Sequence, residues 1–252
     1  MRLPAFFLRE GNRPNSVDTQ TRHAIKHDAL IDHAHSALSW LEDHKSQAIL
    51  SAIVVAVVLA IGIGSTLFYQ HRENEASAAF GSAMDVYSTP VAQPDNPAEP
   101  GVRTFPSSVA RAEAANAEFL KVADRFGSTE IGKNALYFSG LTYMEMGKMG
   151  QAEATLKKVA QQGDKNLAAL ADLALASIYR QNGKTLDAIQ LLNQLAAHPT
   201  ATVPAGQAKL ELADIYERTN PEQAKEIYAQ LKDKDSKTTA GQIAAQKLQQ
   251  MQ

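Results

Sequence analysis

The longest feature in the hydropathy pattern is a run of 22 residues without a charge, Ala48 to Tyr69 (AILSAIVVAVVLAIGIGSTLFY). A helix rises about 1.5 Å per residue, so the run is long enough to cross a hydrocarbon core of about 30 Å. It has no polar stripe to turn toward water, and Ser51, Ser65 and Thr66 can bond carbonyls of their own helix. The pattern predicts one transmembrane helix over 48–69, leaving residues 1–47 on one side and 70–252 on the other. Upstream, Ile25, Leu30, Ile31, Ala34, Leu38 and Leu41 form an apolar stripe at helical spacing. That stripe suits a helix lying on the membrane surface or against another helix.

Beyond the span the apolar positions become periodic, and three segments superpose. ALYFSGLTYMEMGKMGQAEATLKKV carries Gly140, Tyr143, Gly147, Ala152, Leu156 and Val159. LADLALASIYRQNGKTLDAIQLLNQL carries Ala176, Tyr179, Gly183, Ala188, Leu192 and Leu195. AKLELADIYERTNPEQAKEIYAQL carries Ala213, Tyr216, Asn220, Ala224, Tyr228 and Leu231. Each reads as a helical hairpin. The small residue before the Tyr admits a close partner helix, and the Gly or Asn after it takes the left-handed conformation that ends a helix. The second Ala then packs at the crossing, with bulky residues continuing its face. Pro221 is placed to open the second helix of the third unit. Successive tyrosines are 36 and 37 residues apart, near the roughly 34-residue tetratricopeptide period. The pattern, over about residues 133–232, is tetratricopeptide-like, without the usual early Trp and with only Pro199 near the usual closing Pro.

The flanks resemble partial units. Ala76 to Tyr87 and Ser107 to Phe126 read as helices, the latter with Ala114, Phe119 and Val122 on one face. Residues 88–107 hold Pro90, Pro94, Pro97, Pro100 and Pro106 and cannot be helix. Thr238 to Gln249 reads as a closing helix that covers the last hairpin. The expected fold is all-α: a single N-terminal transmembrane helix followed by a tetratricopeptide-like solenoid.

Charge orients this layout. Arg2, Arg9, Arg13, Arg22, Lys26 and Lys45 precede the span, against Arg72, Arg103 and Arg111 over a comparable length after it. The excess favours a cytoplasmic N-terminus, and Trp40 and Tyr69 can anchor the two interfaces. Ala76-Ser77-Ala78 resembles a signal-peptidase site, but the apolar run is too long and its leader too extended for a signal peptide. No cysteine is present, which excludes a lipid-modified cysteine, disulfides and thiolate chemistry. After residue 75 there are 18 Lys and Arg against 19 Asp and Glu, with no basic block, which argues against nucleic acid.

A short N-terminal segment, one span and a tetratricopeptide-like domain with a proline-containing first hairpin together resemble the YfgM-like ancillary subunits of the bacterial Sec translocon. The resemblance runs from about His23 through HDALIDHAHSALSWLEDHK, the span, the HRENEASAAF junction and the repeats. It implies a single-pass inner-membrane protein with a periplasmic C-terminal domain and no enzymatic role. It also implies partnership with the translocon, a periplasmic chaperone and exported polypeptides. The stretch before His23 and the longer proline loop depart from the family layout. Tetratricopeptide-like scaffolds of other envelope assemblies, in division or cytochrome maturation, share the same arrangement, as would a non-catalytic subunit of a membrane enzyme.

In this repeat the first helices line the concave face, so the expected partner-binding residues are Tyr137, Phe138, Leu141 and Met144, then Leu173, Ser177 and Arg180, then Asp214 and Glu217. The Tyr137–Met144 patch suits adaptable contacts with an extended chain, though Tyr137 and Phe138 are equally suited to packing on the preceding hairpin. The positions where a carboxylate-clamp repeat carries Lys and Asn hold Tyr137 and Leu141, which leaves no clamp. His23 and His27 share a helical face, but His33 and His35 point elsewhere, so a solvated helix accounts for them better than a metal. No phosphate loop, Gly-x-Ser-x-Gly or His-Glu-x-x-His occurs, and neither a cofactor nor a small-molecule substrate is expected.

Overall fold

The computed structural model describes residues 44–92, 101 and 103–251. The expected N-terminal amphipathic helix and its histidines, and the tip of the proline-rich loop, lie outside the described residues. Contacts divide the chain into a unit ending at Thr66 and a second one, Leu67–Gln252.

Helix α1, Lys45–Ser88, is long and apolar enough to cross a membrane. Its large apolar side chains between Ile49 and Tyr69 are 50–66% exposed, so none of them is buried against the other described residues. Ser51, Ser65 and Thr66 donate to the carbonyls of Gln47, Gly62 and Ile63, as the pattern required. Ala76-Ser77-Ala78 lies inside α1, with Ala76 buried.

The second unit is helical among the described residues, apart from one isolated bridge. Its elements are α2 (Ser108–Phe126), α3 (Glu130–Glu145), α4 (Met149–Ala160), α5 (Lys165–Gln181), α6 (Thr185–Ala197), α7 (Ala205–Thr219), α8 (Pro221–Lys234) and α9 (Thr239–Gln250). Each packs mainly on the next, and α3 also meets α5 and α7 meets α9. The buried core follows that order as a chain of clusters, not one centre. Between α1 and α2 the ends of the proline-rich segment are pinned together. Ala92 N donates to Phe105 O (2.8 Å) and Phe105 N to Pro90 O (2.9 Å), bridging Val91 and Phe105.

The hairpin turns explain the repeat. After α3, Gly147 N donates to Met144 O and Lys148 N to Tyr143 O, both 2.9 Å, with Gly147 at φ 71°. After α5, Gly183 N donates to Arg180 O and Lys184 N to Tyr179 O, with Gly183 at φ 75°. Both are left-handed C-terminal motifs that satisfy the last carbonyls, which is why Gly stands four residues after the Tyr. The third turn differs from expectation. Asn220 is extended (φ −154°), and its side chain accepts from Gln223 N to cap α8, with Pro221 first in that helix. The residue needed there is an N-cap and not a left-handed terminator. At Gly140 an added Cβ would stand 2.7 Å from a methyl of the buried Leu156, so a larger residue there would have to displace that side chain.

Candidate functional site

The first helices α3, α5 and α7 carry the expected binding residues, and α9 packs against the last of them. At the α3 end, Tyr137, Phe138, Leu141 and Met144 are all half-buried. Phe138 is turned inward. Its ring stacks on Phe119 at 5.3 Å and meets Phe80 at 5.6 Å and Tyr87 at 6.1 Å. Tyr137 stands edge-on to Phe138, and burial pushes its phenol above the ordinary range. Tyr137 and Met144 lean on the α4–α5 core, and Leu173 on the next one. Ser177 accepts from the Gln181 amide at 3.4 Å.

The polar members are brought together. Arg180 donates to Asp214 at 2.8 Å and lies 3.8 Å from Glu211, tying α5 to α7. Lys247 of α9 reaches Glu217 at 2.9 Å and Asp214 at 3.4 Å, and the buried Tyr228 donates to Glu217 at 2.7 Å. Burial first, then the Glu217 hydrogen bond, pushes the Tyr228 phenol far above its ordinary value, while Glu217 raises Lys247. Arg180, Gln181, Asp214 and Arg218 share a hollow of about 510 Å³ with Thr185, Ile215 and Thr219. The Arg180–Asp214 side chains are 39% and 46% exposed, so their pairing holds them in place more than it stabilises the fold, at most about 1 kcal/mol.

Sequence reasoning missed three polar features. Arg111 and Glu145 bracket Tyr87: the Tyr87 hydroxyl donates to Glu145 at 2.7 Å, and Arg111 lies 3.5 Å from Glu145 and 5.5 Å over the Tyr87 ring. Burial, followed by the Glu145 contact, lifts the Tyr87 phenol to about 12. Asn116, 6% exposed, donates from Nδ2 to Ser139 O (3.0 Å), Ser139 Oγ (3.0 Å) and Thr142 Oγ1 (2.8 Å). Asp172 lines two adjoining hollows of about 390 and 380 Å³, with no hydrogen-bond or ion-pair partner among the described residues, and burial raises its pKa. None has a local signature: the partners of Tyr87 and Asn116 lie on other helices, and Asp172 is set apart only by its burial.

What this surface offers is shape, hydrogen-bonding side chains and half-buried apolar groups along successive first helices, the means by which a helical stack holds a polypeptide. Residues 38–252 match the tetratricopeptide repeat-like domain, and the chain belongs to that family. Two solved structures of a Podosopora anserina protein, described as a putative kinesin light chain with nearly identical TPR-like repeats, align with part of this chain; one of them is a point variant. They are 20% and 19% identical, each comparison covering 56% of this chain and 77% of theirs with a TM-score of 0.47. Comparison with curated proteins gives no match. The family accounts for a protein-interaction module.

Proposed function

We propose that this chain is a single-pass, non-enzymatic interaction subunit of a bacterial inner membrane. Residues 1–47 are cytoplasmic, 48–69 span the bilayer, and 70–252 form a periplasmic domain. Its role is that of the YfgM-like ancillary subunits: association with the Sec translocon and a periplasmic chaperone, and support of exported polypeptides. The observation that carries the reading is α1, whose large apolar side chains from Ile49 to Tyr69 are all at least half exposed and whose C-terminal residues enter the interaction domain. An exposed apolar helix of that length needs a hydrocarbon environment.

The binding face we assign runs from Tyr137, Leu141 and Met144, with the edge of Phe138, through Leu173, Ser177 and Arg180 to Asp214 and Glu217. Half-buried apolar groups at one end and fixed charges at the other suit an extended chain of mixed composition. Capture of the full chain in mild detergent tests the role. Co-purifying translocon subunits and a periplasmic chaperone support it, whereas division or haem-ligation proteins would replace it with the scaffold reading. Recovery in the aqueous fraction after carbonate washing, or a protease-shielded C-terminus in spheroplasts, would refute the anchoring. Leu141→Asp and Met144→Asp are expected to abolish suppression of client aggregation, and unchanged suppression removes that face.

A further inference from the structure

The start of the second unit carries a register that its repeats do not need. Arg111 lies over Tyr87, Phe119 over Phe80 at 5.7 Å, and Arg125 beside Glu75 at 3.1 Å, so α2 runs antiparallel to the C-terminal part of α1. The last contact is the closest to the apolar run. Arg72 donates to the carbonyl of Arg125, with its guanidinium 5.9 Å from the Phe68 ring centre and 5.8 Å from that of Phe126. Each residue forward on α2 is thus one residue back on α1. Continued to the turn at 127–129, the register sets Ser128 level with about residue 70 or 71, roughly 3 Å along the axis from Tyr69.

We infer that the turn between α2 and α3 rests in the phospholipid headgroup layer, with Arg72 and Arg125 meeting lipid phosphates. The inference rests on the membrane-anchored reading. If the hydrocarbon ends near Tyr69, the headgroup layer extends about 5–8 Å further, and the turn falls inside it. The surroundings fit that depth. Phe68 and Tyr69 are each 59% exposed at the end of the run, as interfacial aromatics are. The Arg125 side chain is 69% exposed and stacked on Phe126 at 4.8 Å, leaving its outer face open. Glu75 offsets one of the two cations, so the contact is set by position more than by net charge, and it is expected to persist in bilayers of zwitterionic lipid alone.

The chain has no cysteine, so single-cysteine labels report unambiguously. The full chain in liposomes, labelled in turn at Ser65→Cys, Ser128→Cys and Ser88→Cys, is mixed with lipids bearing a nitroxide in the acyl chain or on the headgroup. Ser65 lies within the run, and Ser88 ends the same helix about 28 Å beyond Tyr69 at 1.5 Å per residue. The expected result is acyl-chain quenching at Ser65, headgroup quenching at Ser128 and neither at Ser88. Adding Arg72→Ala lowers the Ser128 signal and leaves Ser65 unchanged. Quenching at Ser65 with Ser128 as bright as Ser88 overturns the inference and spares the anchor. A bright Ser65 label overturns both.

Discussion

Asn116 is the most demanding polar group in the fold, and replacing it with aspartate changes one nitrogen for one oxygen. Its amide nitrogen sits among three oxygens at 2.8–3.0 Å, one of them the Ser139 carbonyl, which can only accept. Thr142 Oγ1 already donates toward Phe138 O and Ser139 O, so it must abandon that bond to serve a carboxylate. Asn116→Asp therefore loses about one neutral hydrogen bond, near 1 kcal/mol, and leaves buried oxygens facing each other at a further 1–3 kcal/mol. About 3 kcal/mol at pH 7.5 corresponds to a Tm lower by roughly 6–12 °C for a unit of this size. The sign of the pH effect follows from burial. The folded state raises the pKa of the new carboxyl above its unfolded value near 3.9, so the penalty is absent below that value and grows as pH rises through the folded one. Thermal melts of wild type, Asn116→Asp and Asn116→Ala followed by circular dichroism at pH 4.5 and 7.5 measure this. The aspartate deficit should shrink on acidification while the alanine deficit stays constant. An aspartate variant melting with wild type, or a deficit indifferent to pH, would refute the view that this amide staples α2 to α3.

Gly147→Ala and Gly183→Ala should each cost about 1 kcal/mol, because both need a positive φ although nothing within 4 Å obstructs a Cβ. Gly150→Ala, inside α4 with equal room, should be neutral or stabilising in the same denaturant titrations. Raised phenol pKa values at Tyr87 and Tyr228 mean that the stability they contribute is full below pH 10 and fades as pH climbs through their folded values. Absorbance at 295 nm should show tyrosines that ionise only with alkaline unfolding, and Tyr228→Phe should remove one of them. Phe119→Ala empties the centre of the ring cluster and should cost about 3–5 kcal/mol, read as a lower urea midpoint.

Features set by neighbours in sequence were the legible ones. The Tyr–Gly spacing marks a helix whose last carbonyls are closed by backbone donors a few residues on, and the structure repeats that closure at Gly147 and Gly183. The hairpin boundaries and the closing helix follow from the same local rules. Asn220 shows the limit. Asn can end a helix or cap the next, and the adjoining Pro221, which starts α8, decides for the cap. Phe138 lay among the expected groove residues, yet its ring joins Phe80, Tyr87 and Phe119, because the helix before the proline-rich segment supplies two of the partners. Arg180 and Asp214 could each be placed on a first helix, but their pairing depends on how α5 and α7 cross, which no local pattern encodes.

Since each helix leans chiefly on its immediate neighbours, mechanical load on this domain has no central keystone to break. Tension applied at the far end would peel α9 and then successive pairs in order, each giving way at modest force while those nearer α1 stay closed.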